Sequence, residues 1–252
     1  ASVLSGVRLG TATLSAILTG AASSETVSVS SLADLGAPSE TVNTTGQYDT
    51  YQNRTVDGVV NVDTKDATFA VSIDFNAGDR AANGVIWESG GATIGSTLSY
   101  NQAGQTLSVH HSTNGGNALG VVTHQLTGAQ VSGGDIEVVW AYDASEIEWE
   151  LFVDGVSSGT TVDTTETART QNDWSGSNPA GLGVFGGGAA SGNGSNGSLA
   201  AIANLGNTAE INIDTGLRFW AGKDAQFPAV PEPSSIALLG LASLFVMRRQ
   251  RG

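Results

Sequence analysis

The sequence predicts an all-β protein built as a two-sheet antiparallel sandwich. Three observations predict it. Apolar and polar residues alternate in several stretches, the period-two signature of a strand with one buried face. Short turn signals separate those stretches, as in a sandwich of many strands. Glycine supplies 34 of the 252 residues, and charged residues make up only 13%, against a usual ~25%. That composition suits a turn-rich β-protein rather than a helical one.

The first clear strand runs from Ala67 to Phe75. Phe69, Val71, Ile73 and Phe75 fall on one face, and Thr68, Ser72 and Asp74 on the other. Shorter strands are expected at Gly84 to Glu88, Thr97 to Tyr100, Thr106 to His110 and Leu119 to Thr123. From Asp135 to Tyr142, Ile136, Val138, Trp140 and Tyr142 point inward. A short turn, Asp143-Ala144-Ser145, leads into Glu146 to Gly155, where Ile147, Trp149, Leu151 and Val153 alternate with Glu146, Glu148 and Glu150. Two alternating runs joined by so short a turn predict an antiparallel hairpin. Asp154-Gly155 then supplies a tight turn. Leu182 to Phe185 and Leu199 to Ile202 complete the set, and no long helix is expected among them.

Charge narrows the function classes. The net charge is −14, so nucleic acid is excluded as a partner because its phosphates would repel the chain. The same charge keeps the protein soluble by self-repulsion. There is no cysteine, which rules out a disulfide framework and a thiolate metal site and leaves stability to packing.

The two ends read as addresses. Near the N-terminus, Arg8 precedes a moderately apolar stretch, Leu9 to Leu18, and Gly20 and Ala22 stand at the spacing of a signal-peptidase site. Residues 1–22 are therefore expected to be a signal peptide and residues 23–229 the sandwich. At the other end, Pro231 and Pro233 bar a regular helix, since each lacks an amide donor and Pro233 holds Glu232 extended. Ile236 to Met247 then carries no charge. As a helix it would span roughly 18 Å at ~1.5 Å per residue, short of the ~30 Å core of a bilayer. Arg248, Arg249 and Arg251 follow, a basic flank that stays on the cytoplasmic side. A helix docked on the domain core would show polar residues at helical spacing, and this run is apolar or small all round.

Val230-Pro231-Glu232-Pro233, the apolar run and the arginines together resemble a PEP-CTERM sorting signal. Such tails occur on exported proteins of Gram-negative bacteria, many of which make extracellular polysaccharide. The resemblance implies recognition by an exosortase-type membrane protease, transient anchoring in the inner membrane by residues 230–252, and removal of the tail. The protein would then stand at the cell surface or in the extracellular matrix, with extracellular polysaccharide or a surface protein as its expected partner.

Asp135 to Gly155 carries a second resemblance. An apolar strand containing Trp140, a short turn, and a strand ending Leu151-Phe152-Val153-Asp154-Gly155 resemble a concanavalin A-like, laminin G-like jelly roll. In that family a glycine-rich loop precedes a last strand containing Ile-Asp. Here the loop is Gly186 to Gly197, and Gly197 to Ile202 takes the place of the strand, with Ala200 and Ala201 where the acidic residue is expected.

The catalytic expectation is negative. Several jelly-roll glycosidases carry carboxylates at i, i+2 and i+4 of one strand, and retaining hydrolysis needs two of them ~5–5.5 Å apart. Glu146, Glu148 and Glu150 have that spacing, but they lie on the strand ending Val-Asp-Gly, whereas such enzymes place them well upstream. Around Val85 to Tyr100 only Glu88 is acidic. The triplet is read as the solvated outer face of an amphipathic strand, with a glycoside hydrolase as the alternative. His110 and His111 are adjacent on a strand and point to opposite faces, poorly placed to share an ion; they and His124 are read as surface histidines. No cofactor is expected. Calcium is left open, because Asp74, Asp143, Asp154 and Asp173 stand near turns and offer the hard oxygens that it prefers. Trp140 and Trp149 are expected in the core. Trp174, in the polar stretch Gln171 to Gly176, is the candidate ligand-stacking tryptophan, with a core-capping role as the other reading.

Overall fold

The computed structural model describes residues 25–52, 54–74, 84–90, 95–112, 119–132, 134–163, 174, 178–184 and 212–227. In chain order the strands are β1 (Glu25–Ser28), β2 (Glu40–Val42), β3 (Gly46–Tyr48), β4 (Thr55–Val56), β5 (Val59–Val60), β6 (Ala67–Asp74), β7 (Gly84–Gly90), β8 (Gly95–Asn101) and β9 (Thr106–Ser112). They continue with β10 (Leu119–Gln125), β11 (Asp135–Asp143), β12 (Glu148–Val153), β13 (Val156–Thr160), β14 (Val162–Asp163), β15 (Ala180–Leu182), β16 (Asn212–Ala221) and β17 (Lys223–Gln226). Helix among the described residues is confined to short turns at Leu32–Leu35, Val62–Thr64 and Gly128–Ser132.

Two antiparallel sheets form the sandwich, as the alternation requires. One has seven strands in the order β14-β10-β9-β8-β7-β15-β3, and the other six in the order β13-β12-β11-β6-β16-β2. β11 and β12 pair as a hairpin, with Trp140 opposite Leu151 and Tyr142 opposite Trp149. Asp154 and Gly155 take φ of 52° and 74°, the left-handed pair that a two-residue hairpin turn demands. The Asp154 carboxylate braces that turn, accepting from the Glu137 amide at 3.0 Å and from Gln130 Nε2 at 2.9 Å.

The inward residues of both sheets meet in an aromatic interior. Phe69, at the centre of β6, stacks on Trp140 and Phe219 with ring centroids 5.5 and 4.6 Å away. Trp87, Trp174 and Tyr51 close around the same ring at 4.7, 5.3 and 5.7 Å. Trp87 Nε1 donates to the Tyr48 hydroxyl at 2.7 Å, which gives that indole a polar partner.

The outer face of the six-stranded sheet is also partly covered. β1 and β17 pair in parallel and lie over β6 and β11. Val29, Leu32, Leu35, Ala70, Val139, Ala141, Phe152, Trp220 and Ala225 form a second apolar cluster there. This explains why the outward positions of β6 are small: Thr68 and Ala70 lie directly beneath β17. Thr68 Oγ1 donates to the Lys223 carbonyl at 2.8 Å and accepts from the Ala225 amide at 3.0 Å, so one threonine fixes β17 to the sheet.

Several expectations shift. β12 starts at Glu148, so Glu146 and Ile147 belong to the turn; Ile147 takes φ of 58° and is a turn residue rather than an inward strand residue. β7, β8, β9 and β10 each extend beyond the predicted runs. β16, unforeseen, pairs with β6 and brings Leu217 and Phe219 into the core. At its Gly216 a Cβ would lie 2.4 Å from the Val42 carbonyl oxygen, so only glycine lets β2 approach so closely. The proposed signal peptide, Phe75, Phe185, the loop and strand from Gly186 to Ile202, and the C-terminal apolar run lie outside the described residues.

Candidate functional site

The chemistry-bearing residues of the described domain gather on the outer face of the six-stranded sheet. Glu148 and Glu150 point outward from β12 because Trp149, Leu151 and Val153 take the inward positions. Asp143 ends β11 and stands opposite Glu148. Like charges directly opposite one another in an antiparallel pair destabilise it. Glu146 comes from the intervening turn. β17 brings Asp224 and Gln226 to the same place, and β1 brings Thr26. These groups, with Ala141 and Thr160, line a cavity of about 360 Å³, near the small end of the usual ~300–1,000 Å³ for ligand sites.

The five carboxylates are unequal. Asp143 Oδ1 accepts from the Ser145 amide and hydroxyl, both at 2.7 Å, and from the Glu146 amide at 3.2 Å; this holds the turn closed. Glu150 accepts from the Ser157 hydroxyl. Asp224 is 1% exposed. Its Oδ2 accepts from Gln226 Nε2 at 2.9 Å, while Oδ1 is buried without a hydrogen-bond partner. Burial pushes its carboxyl up to about 6; the Gln226 hydrogen bond opposes this, and the charges of Asp143, Asp66 and Glu150 add to it. Among the described residues no lysine, arginine or histidine lines the cavity.

Other candidate residues lie elsewhere. Trp174 is 0% exposed, packed against Tyr51 and Phe69 with its amide donating to the Asp63 carbonyl at 3.1 Å. Trp174 is a core residue, the favoured of its two readings, and neither ring face is open to a sugar, which corrects the stacking candidate. Trp140 and Trp149 are core residues as expected. The histidines divide. His111 is buried against Tyr142 and Trp149, which corrects its surface reading. His110 faces the other side of its strand and is lowered to about 4 by burial. His124 is half-buried, with Nδ1 2.8 Å from Ser158 Oγ. Of the calcium candidates, Asp143 and Asp154 sit at opposite ends of the β11–β12 hairpin and Asp173 is outside the described residues. Among the described residues no three His, Cys, Asp or Glu gather closely enough to hold a metal ion.

Sequence reasoning found the glutamate triplet but missed Asp224. Its one signal was an acidic residue in Ala221-Gly222-Lys223-Asp224-Ala225, a stretch that was not read as a strand. The sorting residues Val230, Pro231, Glu232, Pro233, Arg248, Arg249 and Arg251 lie outside the described residues, and no described helix is long and apolar enough to cross a membrane.

Among solved structures, the chain is similar to the Ruminococcus gnavus IT-sialidase CBM40 bound to α2,3-sialyllactose. Identity is 13% and the TM-score 0.44, over 72% of this chain and 89% of that one. It is also similar to the NanB sialidase of Streptococcus pneumoniae (10% identity, TM-score 0.48, 75% of this chain and 27% of that one). A third is the LG4-5 region of the mouse laminin α1 chain (15% identity, TM-score 0.43, 72% of this chain and 42% of that one). No curated protein matches the chain. The PEP-CTERM protein-sorting motif matches residues 229–251. The chain thus joins an antiparallel two-sheet sandwich to a PEP-CTERM protein-sorting motif, the mark of export and exosortase sorting.

Proposed function

We propose that this chain is a non-enzymatic binding or structural module, released by an exosortase-type protease to the cell surface or extracellular matrix. The sorting motif at residues 229–251 carries this reading. It gives the protein a route to the outside, and the order of its parts explains the composition of the tail: an extended handle at Pro231-Glu232-Pro233, an apolar membrane plug, and a basic stop at Arg248, Arg249 and Arg251. The absence of enzymatic activity is supported by the placement of the carboxylates. Glu146 belongs to a turn, so the three glutamates do not stand together on one strand face as the carboxylates of jelly-roll glycosidases do. The test is export of the full chain in its native host. Glu232→Ala, or deletion of 248–252, is expected to leave unprocessed protein in the inner membrane, read by fractionation and mass spectrometry of both termini. Normal release of both variants would overturn the assignment.

One observation favours a second reading, glycoside hydrolysis: Glu148 and Glu150 do line a cavity. Glu148→Gln separates the two. Cleavage of any polysaccharide by the wild type that this variant loses, with its fold intact, would establish the hydrolase. No cleavage across a broad glycan panel supports the binding module.

A further inference from the structure

We propose that the acidic cavity formed by Asp143, Glu146, Glu148, Glu150 and Asp224 is a binding site for an arginine side chain presented by a partner peptide. This rests on the binding-module reading and supplies its ligand chemistry, but not on the sorting route.

Two independent observations point to a cationic occupant. The first is convergence: β11, the following turn, β12 and β17 deliver five carboxylates to one cavity, with no basic side chain among the described residues of its lining. The second is Asp224, which lines the same cavity, is 1% exposed and keeps Oδ1 buried without a hydrogen-bond partner. A buried carboxylate oxygen that accepts no hydrogen bond is costly, and a donor brought to it relieves that cost. Calcium needs oxygens converging at ~2.3–2.6 Å, and no three acids among the described residues approach closely enough. A guanidinium is planar, always charged and carries five N–H donors, so it can donate to more than one carboxylate at once.

Protonation of Asp224 should regulate the site. Asp143 from β11, Glu150 from β12 and Asp66 just before β6 all act on it, and Gln226 of β17 donates to it. Above about pH 6 the full negative charge is present; below it Asp224 becomes neutral and the cavity loses part of its attraction.

The experiment titrates the full chain with the peptide acetyl-Gly-Gly-Arg-Gly-Gly-amide and with its citrulline counterpart, which keeps the shape and removes the charge. Binding is read from amide resonances of Glu148, Glu150 and Asp224. The arginine peptide is expected to bind at least tenfold more tightly than the citrulline peptide and to weaken several-fold from pH 7.5 to pH 5. Asp224→Asn should weaken binding at least fivefold and flatten that pH dependence, with Glu150→Gln as the second variant should the first fail to fold. Asp135→Asn, an exposed acid elsewhere with the same change in net charge, should leave binding unchanged. Equal binding of the two peptides, equal weakening by Asp135→Asn, or calcium displacing the peptide through the same residues would each overturn the proposal. None of these outcomes bears on export, so failure here is distinguishable from failure of the sorting assignment.

Discussion

Along β12, Trp149, Leu151 and Val153 enter the aromatic interior, while Glu148 and Glu150, each one residue away, enter the acidic cavity. The same backbone holds both sets. On the inner side each ring packs against several others that favour the same arrangement, although the indole N–H groups of Trp140, Trp149 and Trp174 are buried without a hydrogen-bond partner among the described residues; none of these neutral groups carries a charge. On the outer side the groups repel one another and one of them, Asp224, is buried with an oxygen unsatisfied. A fold tolerates such a conflict only where the rest of the structure supplies stability to spare, and functional sites are commonly where it is found.

The comparison breaks most sharply at its inner side. Phe69→Ala removes the ring on which Trp140 and Phe219 stack and around which Trp87, Trp174 and Tyr51 close. The expected loss is about 3–5 kcal/mol, measured by urea unfolding of the full chain. A loss below ~1 kcal/mol would mean that the interior is not the source of stability claimed for it.

The next effect has the opposite sign. At neutral pH, Asp224→Asn should stabilise the protein by on the order of 3 kcal/mol, because each unit by which burial raises the carboxyl corresponds to ~1.4 kcal/mol. The sign follows from linkage. The folded carboxyl titrates at about 6 against an ordinary 3.8, so the folded state holds the proton more tightly than the unfolded one. The penalty is present in full above pH 6 and fades as pH falls from 6 towards 4. The difference between variant and wild type in unfolding free energy should therefore be largest at pH 7 and close to zero near pH 4. A constant difference across that range would mean that Asp224 is not the strained group.

Sequence made one of these two sides legible and hid the other. Strand alternation is local, so Phe69, Val71 and Ile73, or Trp140 and Tyr142, declared their inward faces within a few residues, and Asp154-Gly155 declared its turn. Ile147 broke the pattern because the alternation continued one residue into the turn, where φ reverses. Trp174 reaches the core from a polar stretch and not from a periodic strand, so its core reading is favoured with no period to fix it. Leu217 and Phe219 of β16 alternate with Arg218 and Trp220, but Gly216 and the polar residues before it masked the run. The cavity is harder still: Glu148 and Asp224 are far apart in the chain, and what joins them is the crossing of β17 over the sheet, held by Thr68. Nothing periodic marks that crossing, and the most perturbed carboxylate of the cavity is the one the sequence did not reveal.

The smallest effect tests whether an unpaired carboxylate, rather than any carboxylate, defines the strained side. Glu137 lies on the same outer face, but Arg218 Nη2 reaches its Oε2 at 3.2 Å, with the two side chains 42% and 27% exposed. The Arg218 guanidinium also sits 5.9 Å from the centre of the Trp220 ring. Glu137→Gln is expected to destabilise by no more than ~0.5 kcal/mol, the scale of an exposed ion pair, and the loss should shrink further in 1 M salt, where the screening length falls to ~3 Å. The informative quantity is the sign. Two acid-to-amide changes on one sheet face, made at equal cost in net charge, should move stability in opposite directions: down at Glu137, which has a cation, and up at Asp224, which lacks one. If both changes stabilise, the gain belongs to the general self-repulsion of a chain of net charge −14, and the cavity loses its claim to be a vacant place for a cation.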